Sequence, residues 1–165
     1  MTKSFLPDNY EIPQTPSNYM RFQEGSNRFR ILASAVTGFE YFSSDNKPHR
    51  SKEPFESTPD LKKDGRVKAF WAFPVFNYEN ETIQILELTQ KTLMNAIKGY
   101  VENEKWGAPF FYDLCVTKTG EGLETEYQVQ AEPPIGEVAD EIKQAYKEKT
   151  PDLEKLFTGE DPWAK

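Results

Sequence analysis

The stretch Arg66-Val-Lys-Ala-Phe-Trp-Ala-Phe-Pro-Val-Phe-Asn-Tyr78 decides how this chain folds. Its rings at Phe70, Trp71, Phe73, Phe76 and Tyr78 follow a basic entry at Arg66 and Lys68, and its β-branched and aromatic content predicts a strand. Side chains of a strand alternate between faces, so Phe70 and Trp71 point opposite ways and a single core can take only one of them. The other ring needs protein on the second face, or a different use. Rings left on a sheet beside cations can stack on bases, the means by which many proteins hold single-stranded nucleic acid. Two sets compete for that role: Val67, Ala69, Trp71, Phe73 and Val75, or Lys68, Phe70, Ala72 and Phe76. Lys68 favours the second set, the size of Trp71 the first, and the sequence leaves both open. Pro74 lacks an amide donor, which places the strand at an edge or a bulge.

Working outward, Arg28–Thr37 reads as a strand with Phe29, Ile31, Ala33 and Ala35 on one face and Arg28 and Arg30 on the other, curving at Gly38 into Phe39–Phe42. Residues 43–65 form a polar loop. The turn Glu79-Asn-Glu81 joins the aromatic strand to Thr82–Leu88 in a hairpin. Thr89 is an expected N-cap for a helix over about residues 90–103, with Leu93, Ile97, Tyr100 and Val101 on one face. Strands over Pro109–Thr117 and Glu124–Gln130 follow, joined by the turn Thr119-Gly-Glu-Gly122. Three strands, a helix and two strands is the order of an OB-fold, a five-stranded, partly open barrel that binds oligonucleotides on its middle strands and two loops. The expectation is a mainly β protein built on such a barrel. A sandwich with an inserted helix and another five-stranded α+β arrangement remain open.

Residues 1–24, with Pro7, Pro13 and Pro16, read as an extended N-terminal arm, residues 25–132 as the barrel domain, and residues 133–165 as a helical and acidic tail. In that tail Val138, Ile142 and Ala145 or Tyr146 recur at helical spacing over Ile135–Glu148. Thr150-Pro151 then opens a shorter helical segment through Leu153, Leu156 and Phe157. Glu160, Asp161 and Trp163 near the end read either as a disordered end or as an acidic-aromatic peptide that docks on partner proteins.

A chain of 165 residues supports one domain with an ample core. Its mean hydropathy is −0.75 and its net charge −7, an acidic balance that by itself argues against a polyanion partner. The charge is unevenly spread: residues 1–70 hold 11 Lys/Arg against 9 Asp/Glu, and residues 71–165 hold 9 against 18. Seven of the cations lie between Lys47 and Lys68. No apolar run reaches membrane-spanning length and the N-terminal residues lack a signal-peptide core, so the expected location is the cytoplasm. One cysteine, Cys115, excludes an internal disulfide, and with the single His49 it excludes a Cys/His metal cage. Neither a cofactor motif nor an acid–base pair emerges. Gly120-Glu-Gly122 leads into a strand, unlike a phosphate-cradling loop, which feeds a helix.

The segments Ser17–Phe22, Asn27–Leu32, Phe70–Phe73 with Asn77-Tyr78, Ile83–Thr89, Trp106–Pro109, Tyr112–Leu114 and Thr119–Tyr127 resemble, in this order, those of tailed-phage single-stranded DNA-binding proteins. The resemblance covers about residues 5–160. It implies an OB-fold protein, not an enzyme, that coats single-stranded DNA during phage replication, recombination or repair, in the host cytoplasm. Some distant relatives carry a Cys/His zinc site, which this sequence lacks. Many end in an acidic peptide, whereas here Lys165 follows Trp163.

On this reading Arg28, Arg30, Arg66 and Lys68 contact phosphates, with Lys62, Lys63 and Lys118 reaching from the flanking loops. Trp71, Phe70, Tyr41 and Tyr112 are the expected stacking rings. Further partners would be replication or recombination proteins held by the tail, and other copies of the chain through the arm. The rival reading is an OB-like adaptor that binds proteins and no nucleic acid.

Overall fold

The computed structural model describes residues 5–10, 17–133 and 135–164. Seven strands, β1 (Gly25–Ile31), β2 (Val36–Phe42), β3 (Pro48–Ser51), β4 (Lys68–Asn77), β5 (Thr82–Leu88), β6 (Leu114–Thr119) and β7 (Glu126–Ala131), form one antiparallel sheet in the order β3-β2-β4-β1-β6-β7, with β5 on the remaining edge of β4. The helices are α1 (Lys91–Glu102) and α2 (Asp140–Glu148), and single 3-10 turns lie at Pro109–Phe111, Gly122–Glu124 and Leu153–Phe157. No helix among the described residues is long and apolar enough to cross a membrane.

The strand expected over Arg28–Thr37 is two strands. Its backbone leaves the sheet between Ile31 and Val36, so β1 and β2 pair in turn with the same edge of β4: Val36–Glu40 with Lys68–Ala72, then Phe29–Ile31 with Val75–Asn77. Pro74 sits at that handover. Opposite it, Ile85 turns its N–H and C=O away from β4 to Asn18 and Met20, so the Pro74–Ile85 pair exchanges no ladder bonds and the missing amide of Pro74 faces the gap between β2 and β1. A proline is thereby accommodated in a central strand, where an edge or bulge had been expected.

Two further expectations change. Residues 43–65 are not wholly a loop, because β3 pairs with β2 through Tyr41↔His49 and Glu40↔Arg50. The sheet is open among the described residues, with seven strands and no pairing between β5 and β7, where a five-stranded barrel had been expected. The free edge of β5 is instead engaged by Asn18–Met20, part of the expected arm (Met20 N to Ile85 O 2.9 Å). Phe22 then packs 5.9 Å from Tyr127 on β7. Asn18–Met20 and Phe22 thus bond to β5 through the backbone and pack on β7 through a side chain.

The core lies between the sheet and α1: Phe29, Ile31, Phe73, Val75, Leu86, Leu88, Leu114 and Val116 meet Leu93, Met94 and Ile97. Each such burial contributes roughly 1.5–3 kcal/mol. The other face of β4 and β5 has a second cluster, Phe70, Ala72, Ile85 and Leu156, joined by Tyr19, Val36, Phe157 and Trp163. The C-terminal segment therefore lies on the sheet. Gly38 is needed for that approach, since a Cβ there would stand 2.4 Å from the Ser51 carbonyl oxygen and 2.8 Å from the Phe157 ring.

Candidate nucleic-acid interface

The alternation of β4 assigns its two sets. Phe73 and Val75 enter the main core with Trp71 half-buried beside them, whereas Phe70 and Ala72 face the C-terminal segment. Residues paired across an antiparallel ladder share a face. Thr37↔Trp71 and Phe39↔Ala69 therefore put Thr37, Phe39, Ala69 and Trp71 on one strip, beyond the edge of the core. Thr37 and Ala69 are exposed, and Phe39 and Trp71 are partly so. The strip ends at Tyr41, which stacks on His49 with centroids 4.8 Å apart and lies edge-on to Phe55 at 4.8 Å. The polypeptide after β3 folds over this point, and the isolated bridge Ser43↔Leu61 anchors it.

That same polypeptide carries Lys62 and Lys63 and runs through Arg66 into Lys68, all four exposed and without an ion pair among the described residues. By strand alternation Lys68 starts on the face opposite Trp71, at the margin where β4 enters the sheet. Phe39 was not singled out from sequence. Its signal is the register with Ala69, which no single strand reveals.

Several expected contacts are corrected. Phe70 is 0% exposed, with the Arg50 guanidinium 4.5 Å above its ring and Phe157 edge-on at 6.1 Å, so neither face is open to a base. Tyr112 is equally buried, packed 5.6 Å from Trp106 with its hydroxyl donating to Gly107 O. Tyr41 is covered by Phe55 and His49. Arg30 is 1% exposed and donates to Asp113 Oδ1 (2.7 Å) and to the carbonyls of Phe110 and Gly136, which removes it from the surface. Trp163, expected in a partner-binding tail, is folded against the second cluster with Lys149 Nζ 4.8 Å over its ring, while Glu160 and Asp161 are exposed.

Arg28 keeps a 52% exposed side chain on the face opposite Trp71, pinned by Asp113 (Nε to Oδ2 3.0 Å) and stacked 4.9 Å over Tyr78. The hydrogen bond to Asp113 raises its pKa further, so it remains a fixed cation. Lys118, opposite Gly25 on β6, is partly exposed and distant in register from Trp71. The expected phosphate ligands are thus split between two faces and do not line one groove.

The polar clusters are structural. Asp113 accepts from Arg28, Arg30 and Tyr78, and burial together with that bond pushes the Tyr78 hydroxyl up to about 12. Arg50 joins Glu40 (2.8 Å) and Glu87, whose carboxyl is raised by burial against the lowering pull of Arg50. His49 Nε2 lies 3.0 Å from Ser43 Oγ, but Asp45 holds the same hydroxyl and leaves the imidazole alone, so the three do not form a proton relay. Among the described residues no group of three His, Cys, Asp or Glu side chains could hold a metal ion.

Compared with known proteins, the chain is similar to a probable ssDNA-binding protein of Escherichia phage T5, 25% identical over an alignment of 140 residues that covers 68% of this chain and 54% of the relative. The chain thus spans about half the length of the curated relative it matches. No family model and no solved structure matches it.

Proposed function

We propose that this protein binds single-stranded DNA without regard to sequence, stacking bases on Trp71 and Phe39 and holding phosphates with Lys62, Lys63, Arg66 and Lys68. The observation that carries this reading is that the polypeptide folded over the end of the partly open aromatic strip carries Lys62, Lys63 and Arg66 and leads into Lys68 at the margin of β4, all exposed and without an ion pair among the described residues, in a chain of net charge −7. The phage T5 relative supports it. With β1 and β2 taken as one interrupted strand, and β3 set aside, the order of three strands, a helix and two strands supports an OB-type architecture whose seam is filled by residues 17–24. Coating and protecting DNA during phage replication, recombination or repair, in the host cytoplasm, is the role that such binding would serve, and no step of it needs an enzyme or a cofactor.

The test is a tryptophan-fluorescence titration with single-stranded and duplex oligonucleotides over a salt series. Quenching by the single strand that weakens with salt and is lost in Trp71→Phe is the expected result. Absence of quenching at low salt would discard this reading in favour of a protein-binding adaptor.

A further inference from the structure

Beside the aromatic strip the sheet opens into an apolar cavity of about 480 Å³ between the β1–β2 connection and the C-terminal half of α1. Ile31, Phe73, Ile97 and Phe110 line it, together with Thr37 and Trp71. The last two also belong to the strip on which bases are proposed to stack, so strip and cavity are one continuous surface. Its size lies within the range of ligand-binding clefts, about 300–1,000 Å³.

Two features of the lining restrict what fits there. Ala33, Ser34 and Ala35 line the cavity where the backbone has left the sheet, and among the described residues their peptide groups make no hydrogen bond. Lys98 and Glu102, also in the lining, pair with each other at 3.0 Å, so the cavity has no net charge with which to hold a phosphate. An occupant should therefore be uncharged, apolar on its faces and polar at its edge. A hydrocarbon side chain would cover the peptide groups of residues 33–35 without giving them partners, which costs free energy. A nucleobase turns its π-faces to the apolar walls and its donors and acceptors to that backbone.

We infer that the cavity receives one base of the strand held at Trp71, turned out of the stacked row while its phosphates stay outside. The inference rests on the single-strand reading and adds a second kind of base contact to it. Peptide groups supply donors and acceptors together, and every base carries both, so the pocket is compatible with binding that ignores sequence.

The test is photocrosslinking of the full chain to an oligothymidylate that carries 4-thiothymine, with the adducts mapped by peptide, beside a fluorescence titration with the unmodified strand. Adducts in residues 33–35 or 101–110 are expected in addition to those on β4. Ala35→Leu with Ala108→Leu narrows the cavity from two exposed positions and adds neither ring nor charge. The variant is expected to lose the cavity adducts, to keep the β4 adducts and the tryptophan quenching, and to bind about 5-fold more weakly with an unchanged salt slope. Circular dichroism checks its fold, and the wild-type adducts decide the matter should it not fold. Wild-type adducts confined to β4, no adducts at all, or a folded variant that binds and crosslinks as the wild type does would each overturn the inference. Salt-sensitive quenching of the wild-type protein would leave the DNA reading standing in any of these cases, whereas its absence would remove both.

Discussion

Phe70 and Trp71 are neighbours in sequence and belong to separate hydrophobic clusters: Phe70 lies under Arg50 and against Phe157, and Trp71 lies at the open margin of the main core. The two rings should therefore fail in different ways. Trp71→Ala should weaken single-strand binding by roughly 1–3 kcal/mol, or about 5- to 150-fold, with a smaller effect on stability. Phe70→Ala should cost about 3–5 kcal/mol of folding free energy and loosen the C-terminal segment. Oligonucleotide titration and urea denaturation of both variants separate these outcomes.

Lys62, Lys63, Arg66 and Lys68, which form no ion pair among the described residues, should set the salt dependence. For single strands the log–log slope is about −0.7 per phosphate neutralised, so four contacts give about −2.8. Lys62→Gln with Lys63→Gln should reduce the magnitude of the slope by about 1.4 without touching the core. A double variant whose slope equals that of the wild type would remove these lysines from the interface.

What could be read from sequence follows from how local each determinant is. The helix α1 was legible because Leu93 and Ile97 recur at helical spacing, and the β4–β5 hairpin because two apolar runs rich in aromatic and β-branched residues flank the polar turn Glu79-Asn-Glu81. The break between β1 and β2 was hidden, since Ala33 and Ala35 continue the alternation of Phe29 and Ile31 while the backbone leaves the sheet. Pro48-His-Arg-Ser51 has little strand propensity and pairs only because β2 offers partners for His49 and Arg50. Arg28 and Arg30 look equivalent in sequence. Only the fold, by bringing Asp113 and the Phe110 carbonyl to Arg30, separates a buried cation from a surface one. The cover over Phe70 was equally out of reach, because Leu156 and Phe157 lie far along the chain.

Asp113 is the hub of that buried network, and its removal should be more damaging than removal of either arginine. Asp113→Ala leaves Arg30 charged, buried and without its carboxylate, a change of about 3–5 kcal/mol. Arg30→Met still leaves Asp113 the bonds from Arg28 and Tyr78, so the loss should be smaller. It should also leave the salt slope for DNA unchanged, because Arg30 reaches no phosphate. Thermal unfolding of the two variants, with one salt series on the second, checks both statements.

Tyr78 makes the network sensitive to alkali. Its hydroxyl donates to Asp113 (2.8 Å), and burial together with that bond pushes it up to about 12 in the folded protein, from an ordinary tyrosine value of about 10. The pKa is raised on folding, so between these values the native state holds a proton that the unfolded chain has released. Stability therefore falls as pH rises through this window, and the contribution is complete below the lower value. Tyr78→Phe should cost a pH-independent amount below pH 10, of order 1.5 kcal/mol for a hydrogen bond to a carboxylate. Above pH 10 its stability should decline less steeply than that of the wild type, so the gap between the two curves closes as the pH rises above 10. Urea unfolding at intervals across that range measures the difference directly, and parallel curves would show that Tyr78 does not hold its proton against Asp113.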